Sequence, residues 1–333
     1  MPFIALIKKE IFRFSSIWVQ TILGPLATAL LYQLIFGHQL SSVSTGIAHI
    51  NYATYLIPGL VIMQVLLNSF GNSSSSLIQS KYTGNIIFIL MAPISNWSMY
   101  AAYLVSSIIR GIAVGTAVYL GIVWFGTFEL QHLWAVFYFA FMGAAITGGL
   151  GMIAGIVCEK FDQLAGFQSF VMVPLIYLSG IFFNIQHFDP LWKKLAMLDP
   201  FLYIVDGFRY GFIGAANFDI MYGALFVLIF AIIANGIGFG LLKRGVKFKH
   251  YEVFMLEDVI YQAIAEHLPC QFLDVSGDGR HFEAIVVSDS FKEQNRLARH
   301  RLIYDALGDR MKEEVHALSM KLYTPEEWSK LNG

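Results

Sequence analysis

A chain of 333 residues that is 56% hydrophobic and 14% charged is too apolar to be one water-soluble globule, and several of its apolar runs approach the roughly 20 residues that cross a bilayer. Of the 45 charged residues, 17 precede Lys243 and 28 lie from Lys243 onward, which excludes a uniform chain and predicts an integral membrane part followed by a small soluble part. The two cysteines, Cys158 and Cys270, have no paired spacing and exclude a disulfide framework or a protein-only zinc site; from Tyr251 the 15 acidic residues outnumber the 9 basic ones, which argues against non-specific nucleic-acid binding.

In chain order, residues 3–14 place Ile4, Ile7, Ile11 and Phe14 on one helical face with Lys8, Lys9 and Arg13 among the rest. That pattern predicts a helix lying in the membrane interface, and no small-residue cleavage site follows it. Spans are expected at residues 17–36, 52–70, 97–125, 133–157, 167–183 and 221–242. Between the second and third, residues 72–84 hold five serines, four of them consecutive, and Lys81 and read as a polar loop too hydrophilic for lipid. Basic residues stay on the cytoplasmic side of a membrane. Lys8, Lys9 and Arg13, then Lys81, Lys160 and the cluster Lys243, Arg244, Lys247 and Lys249 fall on one side of an alternating topology, with Lys193 and Lys194 the exception. Six spans with both termini cytoplasmic is the consistent arrangement.

Within the spans, small residues recur four apart, as Gly151 with Gly155 and Ala144 with Gly148, a spacing that lets helices approach closely; they serve packing within one subunit or between two. Arg110 falls near the middle of the third span, where a charge must face protein or water, as a structural partner or as a substrate contact. Residues 184–219 are rich in aromatics and contain two Asp-Pro pairs, at 189–190 and 199–200. Their apolar pieces are too short to cross and predict short helices dipping into the outer leaflet, broken by proline.

The segment Leu198-Asp199-Pro200-Phe201-Leu202-Tyr203-Ile204-Val205-Asp206-Gly207-Phe208-Arg209 resembles the one before the last span of type-2 ABC export permeases, and the likeness covers about residues 1–248. The resemblance implies an all-α polytopic membrane domain of the type-2 ABC permease fold with six transmembrane helices. It also implies a bacterial inner-membrane location and a homodimer coupled to a separate ABC ATPase subunit. The coupling element would fall at Ser76, Leu77, Ile78, Lys81 and Tyr82, and the outer re-entrant segment would include Pro200, Asp206 and Arg209. No G-x-x-x-x-G-K-[ST] loop is present, so ATP would be hydrolysed in a partner chain, and no cofactor is expected in the permease part.

After a linker at 249–254, the periods change. One helix face carries Leu256, Val259, Ile260, Ala263, Ile264 and Leu268 before Pro269. Strands are expected at 270–275 and 282–287, a helix at 291–307 with Lys292, Arg296 and Arg299 on one face, and a strand at 315–323. Thr324 reads as the N-cap of a last helix with Pro325 at its first position. The stretches Val275-Ser276-Gly277-Asp278-Gly279-Arg280-His281-Phe282 and Val315-His316-Ala317-Leu318-Ser319-Met320 through Trp328 look like the two signatures of the BolA family. This implies a small α+β, KH-like domain over residues 255–333 that pairs with a monothiol glutaredoxin and shares a [2Fe-2S] cluster with it and glutathione. His281 and His316 would be this chain's ligands. By composition alone, His316 is a core-edge histidine and His281 a loop residue. The G-x-x-G loop that grips nucleic acid is absent.

Met255 stands where a free-standing BolA-like protein would begin, which leaves two readings of the junction: a fusion, or two adjacent genes joined by read-through. For function, the leading expectation is a half-transporter permease carrying a cytoplasmic BolA-like domain. The alternative is a membrane-anchored iron-sulfur adaptor. Six spans are more than an anchor needs, which favours transport.

Overall fold

The computed structural model describes residues 2–39, 50–126, 130–245, 249–277, 281–308 and 317–332, and its internal contacts divide the chain into two compact units, Met1–Val246 and Lys247–Gly333. The first is helical throughout. It runs α1 (Pro2–Ser15), a π-helical stretch Val19–Leu23, α2 (Gly24–Gln39), α3 (Tyr52–Tyr82), α4 (Ile86–Met91), α5 (Asn96–Ile122) and α6 (Leu133–Val157). It continues with α7 (Phe161–Phe167), a second π-helical stretch Gln168–Met172, α8 (Val173–Leu178), α9 (Pro190–Ala196), α10 (Pro200–Ile213) and α11 (Ile220–Lys243). Among the described residues, six continuous helical stretches are long and apolar enough to cross a membrane: Val19–Gln39, Tyr52–Tyr82, Asn96–Phe125, Leu133–Val157, Phe161–Leu178 and Ile220–Lys243.

Several helix starts follow from one local rule, that a short polar side chain accepts from an orphan N–H of the first turn. Asn51 Oδ1 accepts from Thr54 N at 2.8 Å at the head of α3. Ser95 Oγ accepts from Ser98 N at 3.1 Å for α5, and Asp219 Oδ1 from Tyr222 N at 2.8 Å for α11.

The packing axis is α3, which lies against α5, α6, α10 and α2. Lipid is as apolar as a leucine side chain, so close contact and hydrogen bonds, more than hydrophobic burial, hold helices together here. The small-residue stripe of α6 supplies that contact within this one chain. A Cβ on Gly151 would run into the Phe70 carbonyl and the Ser73 hydroxyl of α3, and one on Gly155 would come within 2.9 Å of Leu77 Cβ.

One expectation is corrected by this contact. Residues 72–82, read as the start of a polar loop, are the last three turns of α3. Ser73, Ser74, Ser76 and Ser80 are buried inside the unit, and Ser73 faces the bare backbone of α6, where its Oγ donates to Gly148 O at 2.7 Å. The helix turns out of its path only at Thr83 and Gly84, where Gly84 takes φ 72°, a left-handed conformation that suits glycine.

The second unit begins with α12 (Lys249–His267), so the stretch 249–254 expected as a linker is helical. Then come β1 (Phe272–Gly277), β2 (His281–Val287), α13 (Arg296–Leu307), β3 (Ala317–Tyr323) and α14 (Pro325–Asn332). The sheet order is β1-β2-β3, with β1 antiparallel to β2 and β3 parallel to it. Alternate residues of β2, Phe282, Ala284 and Val286, are buried with Ile260, Ala263 and Ile264 of α12 and Ile303 and Leu307 of α13, as a sheet covered by helices on one face requires.

The expected helix at 291–307 starts later. Asn295 Oδ1 accepts from Ala298 N at 2.9 Å and caps α13 there, which leaves Lys292 in the preceding turn, paired with Asp289 at 2.8 Å. The proposed basic face of Lys292, Arg296 and Arg299 therefore does not exist as one helix surface.

Thr324 caps α14 as its sequence indicates. Glu327 N donates to Thr324 Oγ1 at 3.2 Å and Thr324 N to Glu327 Oε2 at 2.8 Å, a reciprocal capping box. Arg299 adds a forked pair to the same carboxylate, at 2.7 and 3.0 Å. That guanidinium, then the Thr324 N–H, hold the Glu327 carboxyl down to about 2. The stabilisation from this pair is complete above the ordinary glutamate value of 4.5 and is lost as the pH falls toward the lowered value. The protection factors of the amides of residues 325–332, exchange rates taken relative to the unstructured rate at each pH, should stay constant from neutral pH down to that ordinary value and fall below it. In Glu327→Gln protection should already be reduced at neutral pH with no acid-driven loss, and a wild-type profile in that variant would refute the assignment.

Candidate functional site

The chemistry-bearing side chains of the membrane unit gather where α1, α3 and α5 meet. Helix α1 turns Leu6, Glu10 and Arg13 inward, Leu6 and Glu10 being buried, while Ile4 and Phe12 are exposed. Arg13 Nε donates to Glu10 Oε2 at 3.1 Å, and Lys9 Nζ lies 3.3 Å from Glu10 Oε1. Arg13 Nη2 reaches α3, donating at 2.9 Å to both the carbonyl and Oδ1 of Asn72. Asn72 Nδ2 passes the connection on to Ser106 and Ser107 Oγ of α5, both at 3.4 Å. Each interhelical hydrogen bond in a membrane contributes only about 0.6–2 kcal/mol, so the attachment rests on the set.

Sequence reasoning missed Glu10. Its signal is present nonetheless: a lone carboxylate three residues before an arginine on a face that otherwise carries Leu6.

Of the residues expected to couple to an ATPase, Ser76, Leu77, Ile78 and Lys81 are buried inside the unit and Tyr82 is exposed. Lys81 Nζ closes the end of α6, donating to the carbonyls of Ile156 and Cys158, the latter at 3.1 Å. Carbonyls at a helix C-terminus carry partial negative charge and receive a cation well. One turn later, in α4, Phe88 and Met91 are each 69% exposed while Ile86 is buried. This exposed apolar tip sits on a six-residue helix directly after the end of α3, and the hydrophobicity of Ile86-Ile87-Phe88-Ile89-Leu90-Met91 marks it in the sequence.

At the other end of α3, the outer segment forms the short helices α9 and α10. Pro200 opens α10 behind Asp199, whose Oδ1 accepts from Phe201 N at 2.9 Å. Asp206 accepts from the backbone N–H of Asn217 and Phe218 at 2.9 and 3.1 Å, fixing the turn before α11. Arg209 is 2% exposed. Its guanidinium lies 3.8 Å from the Tyr55 ring centroid of α3, and Nη2 donates to Gly180 O and Ile181 O at 3.0 and 3.2 Å. Arg209 thus ties this segment to α3 and to the chain at Gly180–Ile181, while Asp206 fixes the turn that follows it.

Arg110 on α5 is half-buried, with its Nε buried and without a hydrogen-bond partner among the described residues. No ion pair among the described residues accounts for it.

In the tail, His281 opens β2 and stands in register opposite Ala317; His316, the residue before Ala317, lies outside the described residues. Cys270 is half-buried with its thiol 3.3 Å from Leu268 O, and burial raises its pKa, so it is poorly disposed to ligate as a thiolate. Among the described residues, no group of three His, Cys, Asp or Glu side chains is gathered to hold a metal ion.

Comparison with known proteins agrees with this division. A family profile described as ABC-2 type transporter matches residues 1–213, and one described as BolA-like protein matches residues 259–327. The chain is 34% identical over 240 residues to the inner membrane transport permease YadH of Escherichia coli strain K12, covering 71% of this chain and 93% of that protein. Its tail is 33% identical over 88 residues to the DNA-binding transcriptional regulator BolA of Vibrio cholerae serotype O1, covering 23% of this chain and 83% of that protein. It is also 36% identical over 83 residues to the acid stress protein IbaG of Escherichia coli strain K12, covering 24% of this chain and 99% of that one. With the permease match spanning the bundle built on α3, this chain belongs to the ABC-2 type transporter family and carries a C-terminal BolA-like domain.

Proposed function

We propose that the chain is the membrane subunit of an ATP-driven exporter of the bacterial inner membrane, with both termini in the cytoplasm, acting as a homodimer and coupled to a separate ATPase subunit through α4. The observation that carries this reading is the continuity of α3. The helix is tied at one end to α10 through Tyr55 and Arg209, along its length to α6 and α5, and near its other end to α1 through Arg13. It then hands over within four residues to the exposed tip of α4. Force applied to that tip would move α3 as a rigid lever and shift the outer segment with it, the kind of packed-element displacement by which access alternates. The family likeness to YadH, a protein named as a transport permease, supports the reading.

The BolA-like domain would pair with a monothiol glutaredoxin and glutathione. By the family likeness, His281 and His316 would hold one iron of a shared [2Fe-2S] cluster; His281 stands in register opposite Ala317, the first residue of β3. When bound, the cluster would supply a redox-sensitive centre, and the imidazoles would set its potential higher than thiolates do.

Two experiments test these assignments separately. Phe88→Asp combined with Met91→Asp should abolish recovery of the ATPase subunit with a tagged chain from native membranes while leaving the chain's own membrane level unchanged; undiminished ATPase recovery removes α4 from the coupling role. His281→Ala should reduce the visible absorption of the purified complex with glutaredoxin several-fold. A variant with the parent spectrum would show that His281 is no ligand.

A further inference from the structure

The charges around α1 and α5 do not balance. Glu10, the buried carboxylate of this cluster, already serves both Lys9 and Arg13. Arg110 makes no ion pair or hydrogen bond among the described residues, and its Nε is buried without a partner. Arg13 of α1 adds charge of the same sign in this region, while its own guanidinium is bonded to Glu10 and Asn72, so the carboxylate of this cluster is committed elsewhere.

Position favours a ligand from the membrane. Arg110 lies fourteen residues into α5, about 21 Å along its axis, between Ile109 and Ile112, which are 39% and 38% exposed. That stripe of α5 faces out of the unit toward lipid. Helical side chains tilt toward the N-terminus of their helix, so Arg110 is directed back along α5 toward Arg13, and a long arginine stem can lie along apolar surface while its head reaches the polar region. An unpaired guanidinium at this depth costs several kcal/mol. The guanidinium fork matches two oxygens of a phosphate group.

We propose that Arg110 binds the phosphate group of an anionic membrane lipid on the α1–α5 face. The lipid supplies the negative charge that the protein's own side chains lack there. Because α1 also bears Lys8 and Lys9, both exposed, the same leaflet that receives α1 provides headgroups within reach. Occupancy would clamp α1 onto α5 and so stiffen the bundle around α3.

The test uses the purified full chain in detergent, with dioleoylphosphatidylglycerol, dioleoylphosphatidylcholine and inorganic phosphate as probes. Phosphatidylglycerol should raise the thermal unfolding midpoint more than phosphatidylcholine does. That excess should vanish in Arg110→Gln, persist in Arg110→Lys, and be untouched in Lys160→Gln, which alters an exposed lysine remote in sequence. An excess retained in Arg110→Gln, or equal shifts from the two lipids in the parent, overturns the proposal. Should Arg110→Gln fail to fold, the parent chain decides by itself: a phosphatidylglycerol with a photoreactive headgroup should label peptides of α1 and α5, and labelling confined to other helices overturns the site. If millimolar inorganic phosphate reproduces the rise, the anion is soluble phosphate and the lipid assignment falls.

Discussion

The membrane bundle depends on the guanidinium of Arg13. In a medium where apolar surface gains nothing by meeting apolar surface, helices stay together through bonds lipid cannot offer and through contacts lipid cannot fill. Arg13 makes the first kind, reaching from α1 to the carbonyl and amide oxygens of Asn72, whose own amide continues to Ser106 and Ser107. The glycines of α6 make the second kind against Phe70, Ser73 and Leu77. Each requires the other, because the polar turns of α3 can remain helical inside the membrane unit only while α6 covers them closely and α1 and α5 satisfy their side chains.

This dependence turns α3 into a continuous strut. A chain that broke at Phe70 and resumed as a flexible loop would absorb a push at α4 without transmitting it. Because the helix instead runs to Tyr82 with Lys81 anchored on the end of α6, a displacement at the tip must be shared by the whole bundle. The outer arginine, Arg209, does at the far end what Arg13 does at the near one, and both are cations whose hydrogen bonds go to backbone carbonyls or neutral side chains as well as, for Arg13, to a carboxylate.

What could be read from the residues follows the same physics. The fourth span was legible to the residue, at 133–157, because its boundaries coincide with the change from polar to apolar. Thr324 and Pro325 announced α14 because a capping box is a local event. The end of α3 was not legible: hydropathy assigns Asn72, Ser73 and Ser76 the cost of facing lipid, whereas these side chains face protein, and only the fold reveals that. The late start of α13 escaped for a related reason, since Asn295 and the turn at Asp289–Phe291 compete for the same backbone. For the site, Arg110 stood out in the sequence because charge within a span is costly and Arg209 through the family resemblance of its segment, while Glu10 and Phe88 drew no notice in a basic flank and an apolar run.

The burial of Arg209 also bears on the order in which the chain leaves the translocon. Its partners, the Tyr55 ring and the carbonyls of Gly180 and Ile181, are all made earlier in synthesis, whereas Asp206 needs Asn217 and Phe218, which come later. Helix α10 is too short to be inserted as a span in its own right. Its docking is therefore a maturation step, available only to a nascent chain whose first five spans are already assembled and whose next few residues have emerged. A newly made chain would pass through an interval in which α10 is not yet held against Tyr55.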